Sequence, residues 1–165
     1  MKEVVLNKEQ IALKTERIAF EILENTFEEA KIYVGGIEGN GYLFAERIVE
    51  ELSKNTDQEI RLFKIEINKD APLQKEICFS IPEDELNDQS VVLVDDVINS
   101  GRTMIYAVRT LLGNKLKQLK VATLVNRTHR KFPVQADFVG MNISTTIMDN
   151  IQVDLGKEDV AYLVN

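Results

Sequence analysis

The stretch VVLVDDVINSGRT, residues 91 to 103, decides the fold. It opens with four apolar residues, Val91 to Val94, a pattern typical of a short strand buried on both faces. Two carboxylates, Asp95 and Asp96, follow at the end of this strand, and two more apolar residues lead into a small polar loop. An amphipathic helical pattern starts at Thr103. The stretch therefore predicts a strand, a loop and the first turn of a helix in direct succession.

The polar loop has the composition of a phosphate-binding site. Gly101 allows the backbone to approach a ligand closely. The N–H groups of the loop and of the first helical turn point into one space, where the helix dipole favours an anion. Ser100 and Thr103 add hydroxyl donors. The predicted ribose-phosphate-binding residues are Asp95, Asp96, Val97, Asn99, Ser100, Gly101, Arg102 and Thr103.

The two carboxylates need a reason to lie beside a phosphate, which they would otherwise repel. They fit if they accept hydrogen bonds from ligand hydroxyls or face a cation, and a ribose 5-phosphate meets both halves of the site. The alternative without function is a buried strand that ends in a solvated acidic turn. Two phosphotransfer sites fit less well, because haloacid-dehalogenase-type phosphatases use Asp-x-Asp-x-Thr and receiver domains need a further Asp and a Lys. We expected both acids to lie at an exposed strand end.

The rest of the chain alternates apolar strands with amphipathic helices. Helices are predicted from Asn7, as the cap of a first helix, and over 42–52 and 103–112; strands are predicted over 31–36, 60–67, 73–81, 90–94 and 119–125, with short candidates at 138–140 and 151–155. This order predicts an α/β fold, a mostly parallel central sheet flanked by helices. Ligands bind at the carboxyl ends of such strands, so the glycine-rich turn 35–41 and the loop 126–133 join the candidate site.

Length and composition limit the number of domains, the partners and the compartment to be expected. A length of 165 residues fits a single domain over residues 1–165. A net charge of −7 argues against general nucleic-acid binding. One cysteine, Cys78, and a start without an apolar signal segment lead us to expect a cytoplasmic protein with no membrane span. We expected Cys78 to be a packed strand residue, and Phe27, Phe44 and Phe63 to lie in the core.

All 13 positions of the deciding stretch resemble the ribose-phosphate signature of type I phosphoribosyltransferases. The resemblance runs from about Leu13 to Leu155 through the segments ERIAFEILE, GYLFAERI, LVNRTHRKFPVQADFVGMNIST and QVDL. Within that family the segments are most similar to the bifunctional pyrimidine operon attenuators and uracil phosphoribosyltransferases. The resemblance implies a single-domain type I phosphoribosyltransferase fold with a small hood or flap. It also implies a reaction in which uracil displaces pyrophosphate from phosphoribosyl pyrophosphate.

The resemblance assigns roles to particular residues. Asp95 and Asp96 would be catalytic, because they orient the ribose and one of them stabilises the developing oxocarbenium cation. Mg²⁺ would be the cofactor, held mainly through the ligand, with both acids as candidate direct contacts. The base pocket would include Asn126, Arg127 and Thr128, and the flap would bring Lys69. The implied pyrophosphate loop comprises Gly36, Ile37, Glu38, Gly39 and Asn40. A homodimer is implied as well.

Three regions depart from the family pattern. Glu38 stands where basic residues usually meet pyrophosphate, although the glycines and Asn40 still offer donors. The flap, residues 67–76, looks short and carries Lys69 and Lys75 but no arginine. An ordinary hairpin loop explains this segment equally well. Phe20 and Met141 replace polar and basic residues on the RNA-binding face, which with the net charge argues against RNA attenuation. The sequence leaves open a phosphoribosyltransferase, a non-catalytic sensor of phosphoribosyl pyrophosphate or a nucleotide and, as the least favoured hypothesis, an RNA-binding attenuator.

Overall fold

Nine strands and three helices form the fold in a computed structural model, which describes residues 2–165. The strands are β1 (Lys2–Leu6), β2 (Lys31–Ile37), β3 (Glu59–Glu66), β4 (Cys78–Phe79), β5 (Ser90–Ile98), β6 (Gln118–Arg127), β7 (Phe138–Ile143), β8 (Asn150–Asp154) and β9 (Val160–Val164). The helices are α1 (Lys8–Thr26), α2 (Asn40–Asn55) and α3 (Arg102–Leu111), and a short 3₁₀ helix covers Glu83–Leu86. The predicted α/β class is therefore confirmed.

The central sheet has the strand order β4-β3-β2-β5-β6-β7. Strands β2, β3, β5, β6 and β7 run parallel, and the two-residue β4 pairs antiparallel with β3 at the edge. The deciding strand β5 lies inside this sheet, between β2 and β6. Its carboxyl end therefore opens beside the ends of both neighbours, which is where a parallel sheet places its ligands.

The apolar run at the start of β5 serves both faces of the sheet. Val92 and Val94 belong to the core on the side of α1 and α2, with Phe44 at its centre. Val91 and Leu93 belong to the core on the opposite side, which α3 covers. Successive strand residues point to opposite faces, so a strand between two helical layers needs apolar residues at every position.

The first helix begins with the predicted cap. The Asn7 side chain accepts a hydrogen bond from the Gln10 backbone N–H at 2.9 Å, and the Gln10 side chain accepts from the Asn7 N–H at 2.9 Å. This reciprocal pair is a capping box, which satisfies two backbone donors that the first turn leaves free. On the inner face, Ile18 and Ile22 are fully buried. The expectation that Phe27 lies in the core is wrong, because Phe27 follows the last turn of α1 and is 74% exposed.

A second, three-stranded sheet forms a hood, with the antiparallel order β1-β9-β8. Only β8 was predicted, because β1 and β9 are partly exposed and their pairing joins distant parts of the chain. Val4 in β1, for example, is 55% exposed. The hood packs on the α1 and α2 side of the core, where Ile151 and Ala161 are buried.

Three further predictions need correction. The strand predicted over 73–81 is reduced to the two residues of β4, because the segment before it forms turns that lead away from the sheet. Cys78 is consequently exposed rather than packed. Gly35 and Gly36 lie inside β2, as the strand predicted over 31–36 requires, so the turn predicted over 35–41 begins only after Ile37. None of the helices described between residues 2 and 165 is long and apolar enough to cross a bilayer.

The capping box yields a first prediction. Replacement of Asn7 by Ala should lower the free energy of unfolding by about 1 kcal/mol, because the first turn of α1 loses its side-chain acceptor. Chemical denaturation followed by circular dichroism measures this difference. Glu24→Ala, on the exposed face of the same helix, should change stability by much less. Equal losses in the two variants would contradict the assigned role of the cap.

Candidate active site

The two carboxylates lie in the second half of β5, which continues to Ile98 rather than ending at Val94 as predicted, and they are buried rather than exposed. Asp95 is 3% and Asp96 8% exposed. The first turn of α2 packs directly on Asp95 because Gly41 has no side chain. A methyl group on Gly41 would lie 2.5 Å from Asp95 Oδ1 and 3.2 Å from Asp95 Cα. The glycine that the sequence placed at the end of a turn therefore allows a helix to cover a catalytic candidate.

The environment of Asp95 strongly disfavours its charge. Burial, and then the neighbouring charge of Asp96, raise the pKa of the Asp95 carboxyl well above its usual range. Two contacts act in the opposite direction: Asp95 Oδ1 accepts a hydrogen bond from the Asp96 N–H at 2.9 Å, and Lys69 Nζ lies 3.6 Å from Oδ1. A buried acid of this kind marks a functional site more often than a structural one.

The polar loop after β5 has the tight geometry that the sequence predicted. Gly101 has φ of +86°, and a methyl group there would lie 2.9 Å from Val134 Cγ1. The Ser100 carbonyl oxygen accepts hydrogen bonds from the N–H groups of Lys131 and Phe132, both at 3.0 Å. Helix α3 then begins at Arg102, so its free N–H groups lie at the end of the loop. This arrangement suits the phosphate of a ligand.

Arg102 is predicted to bind phosphate, but its guanidinium group contacts the flap. Arg102 NH2 donates to the carbonyl oxygens of Lys69 at 2.9 Å and Asp70 at 3.2 Å. The Asn68 side chain accepts from the N–H groups of Asp70 and Ala71, both at 3.1 Å, which folds the flap into a turn. The flap is therefore tied to the start of α3, and this tie brings Lys69 over the carboxylates.

Two predicted ligand-binding asparagines contact the hood instead. Asn99 donates to the Ile151 carbonyl oxygen and accepts from the Ile151 N–H, both at 3.3 Å. Asn40 donates to the Val153 carbonyl oxygen at 2.8 Å and accepts from the Leu155 N–H at 3.4 Å. Both amides are thus bonded to the backbone of β8, and Asn40 also bonds Leu155, the residue that follows this strand.

The structure brings most of the predicted residues around one cavity of about 390 Å³. Its lining comprises Asn40, Lys69, Asp95, Asp96, Val97, Ile98, Asn99, Ser100, Gly101, Arg102, Thr103, Met104, Ile151, Gln152 and Val153. Sequence reasoning did not assign Ile98, Met104 or the β8 residues to the site. A strand that lines a site with its backbone edge leaves no signature in its side chains, so the sequence carried no signal for β8.

Other predicted residues do not line this cavity. Gly36 and Ile37 are buried inside β2, and Glu38 and Gly39 form the exposed link to α2. The Glu38 N–H donates to the Ile65 carbonyl oxygen at 2.9 Å, which fixes the path of this link. The sequence placed these residues against pyrophosphate, and that assignment stays a prediction.

The residues predicted for the base pocket lie at the end of β6 and beyond it. The Arg127 side chain is 5% exposed and donates to Thr145 Oγ1 at 2.6 Å and to the Thr146 carbonyl oxygen at 2.8 Å. Asn126 donates to Asn142 Oδ1 at 2.7 Å. Thr128 is exposed. Arg127 thus holds the loop that leads into β8, and a role for this group in base binding stays a prediction.

Comparisons with known proteins agree with this geometry. The family model described as "Phosphoribosyl transferase domain" matches residues 2–158. The Bifunctional protein PyrR of Fusobacterium nucleatum is 33% identical over 172 aligned positions, covering 98% of this chain and 97% of the relative. That of Pediococcus pentosaceus is 34% identical, covering 90% of this chain and 91% of the relative.

Solved structures share the fold at lower identity. The hypoxanthine phosphoribosyltransferase of Trypanosoma cruzi superposes with a TM-score of 0.80 at 14% identity, covering 98% of this chain and 95% of that one. A hypoxanthine-guanine phosphoribosyltransferase from Bacillus anthracis gives a TM-score of 0.69 at 22% identity, covering 86% and 82%.

The raised pKa of Asp95 predicts an unusual dependence of stability on pH. The folded protein holds the Asp95 proton more tightly than the unfolded chain, because burial and the charge of Asp96 raise its pKa. Between the ordinary and the raised pKa, the free energy of unfolding therefore falls as pH rises. Asp95→Asn removes this penalty, so the ligand-free variant should be more stable than the parent at neutral pH.

Urea denaturation across a pH series checks this prediction. The exposed Asp57→Asn is the matched control and should follow the pH profile of the parent. An Asp95→Asn variant that is less stable than the parent at every pH would contradict the assigned charge penalty.

Proposed function

The chain belongs to the phosphoribosyl transferase domain family, and on that premise we propose that it transfers the phosphoribosyl group of phosphoribosyl pyrophosphate to uracil. One observation carries the proposal: the buried pair Asp95 and Asp96 and the polar loop 99–103 line the same cavity. The loop offers backbone donors for the 5-phosphate, and the acids accept from the ribose hydroxyls. Catalysis would rest on positioning and on stabilisation of charge at the reacting carbon.

The chemistry assigns the acids a second task. As pyrophosphate leaves, positive charge develops on the ribose ring, and a carboxylate in a dry pocket stabilises it more strongly than one in water. In the ligand-free protein the cation of Lys69 only partly offsets the burial and the neighbouring charge that raise the pKa of Asp95. We infer that ribose binding, with its hydroxyl donors and accompanying cation, favours the ionised form of Asp95.

The site offers Mg²⁺ two carboxylates, those of Asp95 and Asp96. Within residues 2–165, no group of three or more His, Cys, Asp or Glu side chains is arranged to hold a metal ion. Mg²⁺ commonly binds through one or two carboxylates together with substrate phosphates, and Asp95 and Asp96 supply that number. The ion, when bound, would neutralise charge on the pyrophosphate. We propose that the ligand provides most of its contacts.

Uracil is proposed as the base on two grounds. The sequence segments most similar to a known subfamily are those of attenuators with uracil phosphoribosyltransferase activity, and curated relatives reach 34% identity. The hypoxanthine enzymes are 22% identical or less among those described above. Uracil, like the oxopurines, presents N–H and C=O groups along one edge, so strand backbone such as that of β8 can pair with it.

A non-catalytic sensor is the second candidate, and one observation favours it. The link between β2 and α2 carries Glu38, and the amide of Asn40 is bonded to the hood. Pyrophosphate would then meet few side-chain donors on this side of the site, whereas a nucleoside monophosphate would lose nothing. This candidate keeps the ribose-phosphate loop and omits the transfer step.

The remaining expectations concern partners. We propose a homodimer, as the family resemblance implies, and no RNA partner. Arg130 supports the second point, because its guanidinium group is turned inward: it donates to Asn126 Oδ1 and to the Ile98 carbonyl oxygen. Burial lowers the pKa of the Arg130 guanidinium group. A cation held in this way is poorly placed to neutralise RNA phosphates.

Pyrophosphate release tests the proposed reaction. The protein is incubated with phosphoribosyl pyrophosphate, Mg²⁺ and one base from a panel that includes uracil, hypoxanthine and guanine. Release with uracil alone supports the proposal. Release should disappear in the Asp95→Asn/Asp96→Asn double variant and persist in Asp57→Asn. Tight binding of uridine monophosphate without any release would favour the sensor.

Lys69 gives a sharper prediction. Lys69→Ala should weaken binding of phosphoribosyl pyrophosphate roughly tenfold or more, because the ligand loses a charge-assisted donor. Lys69→Arg should bind at least as well as the parent, since a guanidinium group contacts phosphate oxygens through two donors. Isothermal titration calorimetry measures both. The flap residue Lys75, which is also exposed, is the control; an equal loss in Lys75→Ala would show that flap charge as a whole matters.

A further inference from the structure

The free edge of β8 faces the site and is covered by side chains rather than by another strand. On its other side β8 pairs with β9, so β8 is an edge strand of the hood. The residues that turn their backbone groups to the free edge are every second one, Ile151, Val153 and Leu155. Alternation of this kind is the normal pattern of an antiparallel strand, whose residues offer N–H and C=O to one side together.

The side chains of Asn99 and Asn40 bond to the backbone edge of β8 that no strand covers. An asparagine amide has donors and an acceptor on neighbouring atoms, so one side chain can pair with both a C=O and an N–H. Asn99 does so with a single residue, Ile151, and Asn40 does so with Val153 and Leu155. The two amides thus pair with backbone groups at three alternate positions of this edge, as a neighbouring strand would.

The two asparagines come from different parts of the active site. Asn99 directly follows β5 and the two acids, whereas Asn40 is the first residue of α2. The hood is thereby joined to both core segments that border the cavity. Val153 N–H lies on the same edge as the Val153 carbonyl oxygen that Asn40 holds, beside the cavity that Ile151, Gln152 and Val153 line.

We propose that Asn40 and Asn99 are positioning residues that fix the edge of β8 relative to the ribose-phosphate loop, and so determine how tightly the base is held. The inference rests on the proposed function, because it takes the cavity beside β8 as the site of the base. It differs from the sequence prediction, which placed both amides directly on phosphate or pyrophosphate. The two roles predict different losses when the amides are removed.

Binding of two ligands separates the roles. Titration calorimetry measures the dissociation constants of ribose 5-phosphate, which lacks a base, and of uridine monophosphate, which adds one. Asn99→Ala and Asn40→Ala should each weaken uridine monophosphate about five- to tenfold, in line with the loss of a net hydrogen-bond contribution. Ribose 5-phosphate should bind within about twofold of the parent, because the backbone N–H groups of the loop that hold its phosphate remain in both variants.

Controls keep the comparison specific. Asn55→Ala is matched to Asn40→Ala: it lies at the other end of α2, and its amide bonds the Glu51 carbonyl oxygen of the same helix. It should alter neither dissociation constant. Asn99→Asp keeps an acceptor for the Ile151 N–H but turns an oxygen toward the Ile151 carbonyl, so it should weaken uridine monophosphate at least as much as Asn99→Ala. Recovery of parental affinity in Asn99→Asp would overturn the proposal.

The outcomes also separate this inference from the proposed function. Equal weakening of both ligands in Asn99→Ala would make Asn99 a phosphate ligand and overturn its positioning role. A selective loss of uridine monophosphate in a protein that releases no pyrophosphate would support the positioning role and remove the transferase. If the parent binds both ligands equally, the base has no site beside β8, and the proposal fails together with the choice of uracil.

Hydrogen exchange of the ligand-free protein provides a readout that needs no ligand. In Asn99→Ala the Ile151 amide loses its acceptor, and in Asn40→Ala the Leu155 amide does. Each should exchange at least about tenfold faster, since protection reflects the free energy of local opening. Amides in the centre of β5 should keep their rates. Unchanged exchange at Ile151 and Leu155 would show that the amides do not hold β8.

Discussion

The burial of Asp95 at the end of β5 is the constraint on which the rest of the site depends. An ionised carboxylate at 3% exposure is costly unless other groups compensate for the lost water. The structure supplies one backbone N–H and the ammonium group of Lys69 at 3.6 Å, and the pKa of Asp95 stays raised. Asp95 lines the cavity, where a ligand can reach it. The ligand-free protein thus carries a polar site whose full complement of partners is completed by hydroxyls and a cation from outside.

This constraint explains why the segments around Asp95 are joined to each other by polar side chains. Gly41 lets the first turn of α2 pack directly on Asp95. Such a close approach depends on the start of α2 being held in place. Arg102 ties the flap to α3 through two carbonyl oxygens, and Asn40 and Asn99 tie the hood to the core. Side chains that are themselves locked by hydrogen bonds hold a binding geometry more accurately than free ones. Three predicted ligand contacts are in this way structural supports of the site.

The sequence predicted what is local and missed what depends on contacts between distant segments. The run Val91–Val94 predicts a strand buried on both faces, and the capping box at Asn7 marks the start of α1, because both signals lie within a few residues. The strands β1 and β9 are no shorter than β8, which was predicted, but they are defined by their pairing, and that of Lys2 with Val164 joins the two ends of the described chain. The roles of Asn40 and Asn99 were equally invisible, since an amide beside a glycine predicts a ligand contact as readily as a bond to a strand.

Two independent constraints fix β8, and only their combination defines a binding edge. The side chains of Ile151, Val153 and Leu155 are buried in the core cluster on the α1 and α2 side, which sets the distance of the hood from the sheet. Apolar packing is not directional, so it leaves the position of the strand along its own axis poorly determined. Hydrogen bonds to alternate backbone groups supply that position, because a shift by one residue would turn every donor and acceptor to the other side. Packing therefore holds the hood against the core, and the two amides hold its edge in register with the carboxylates.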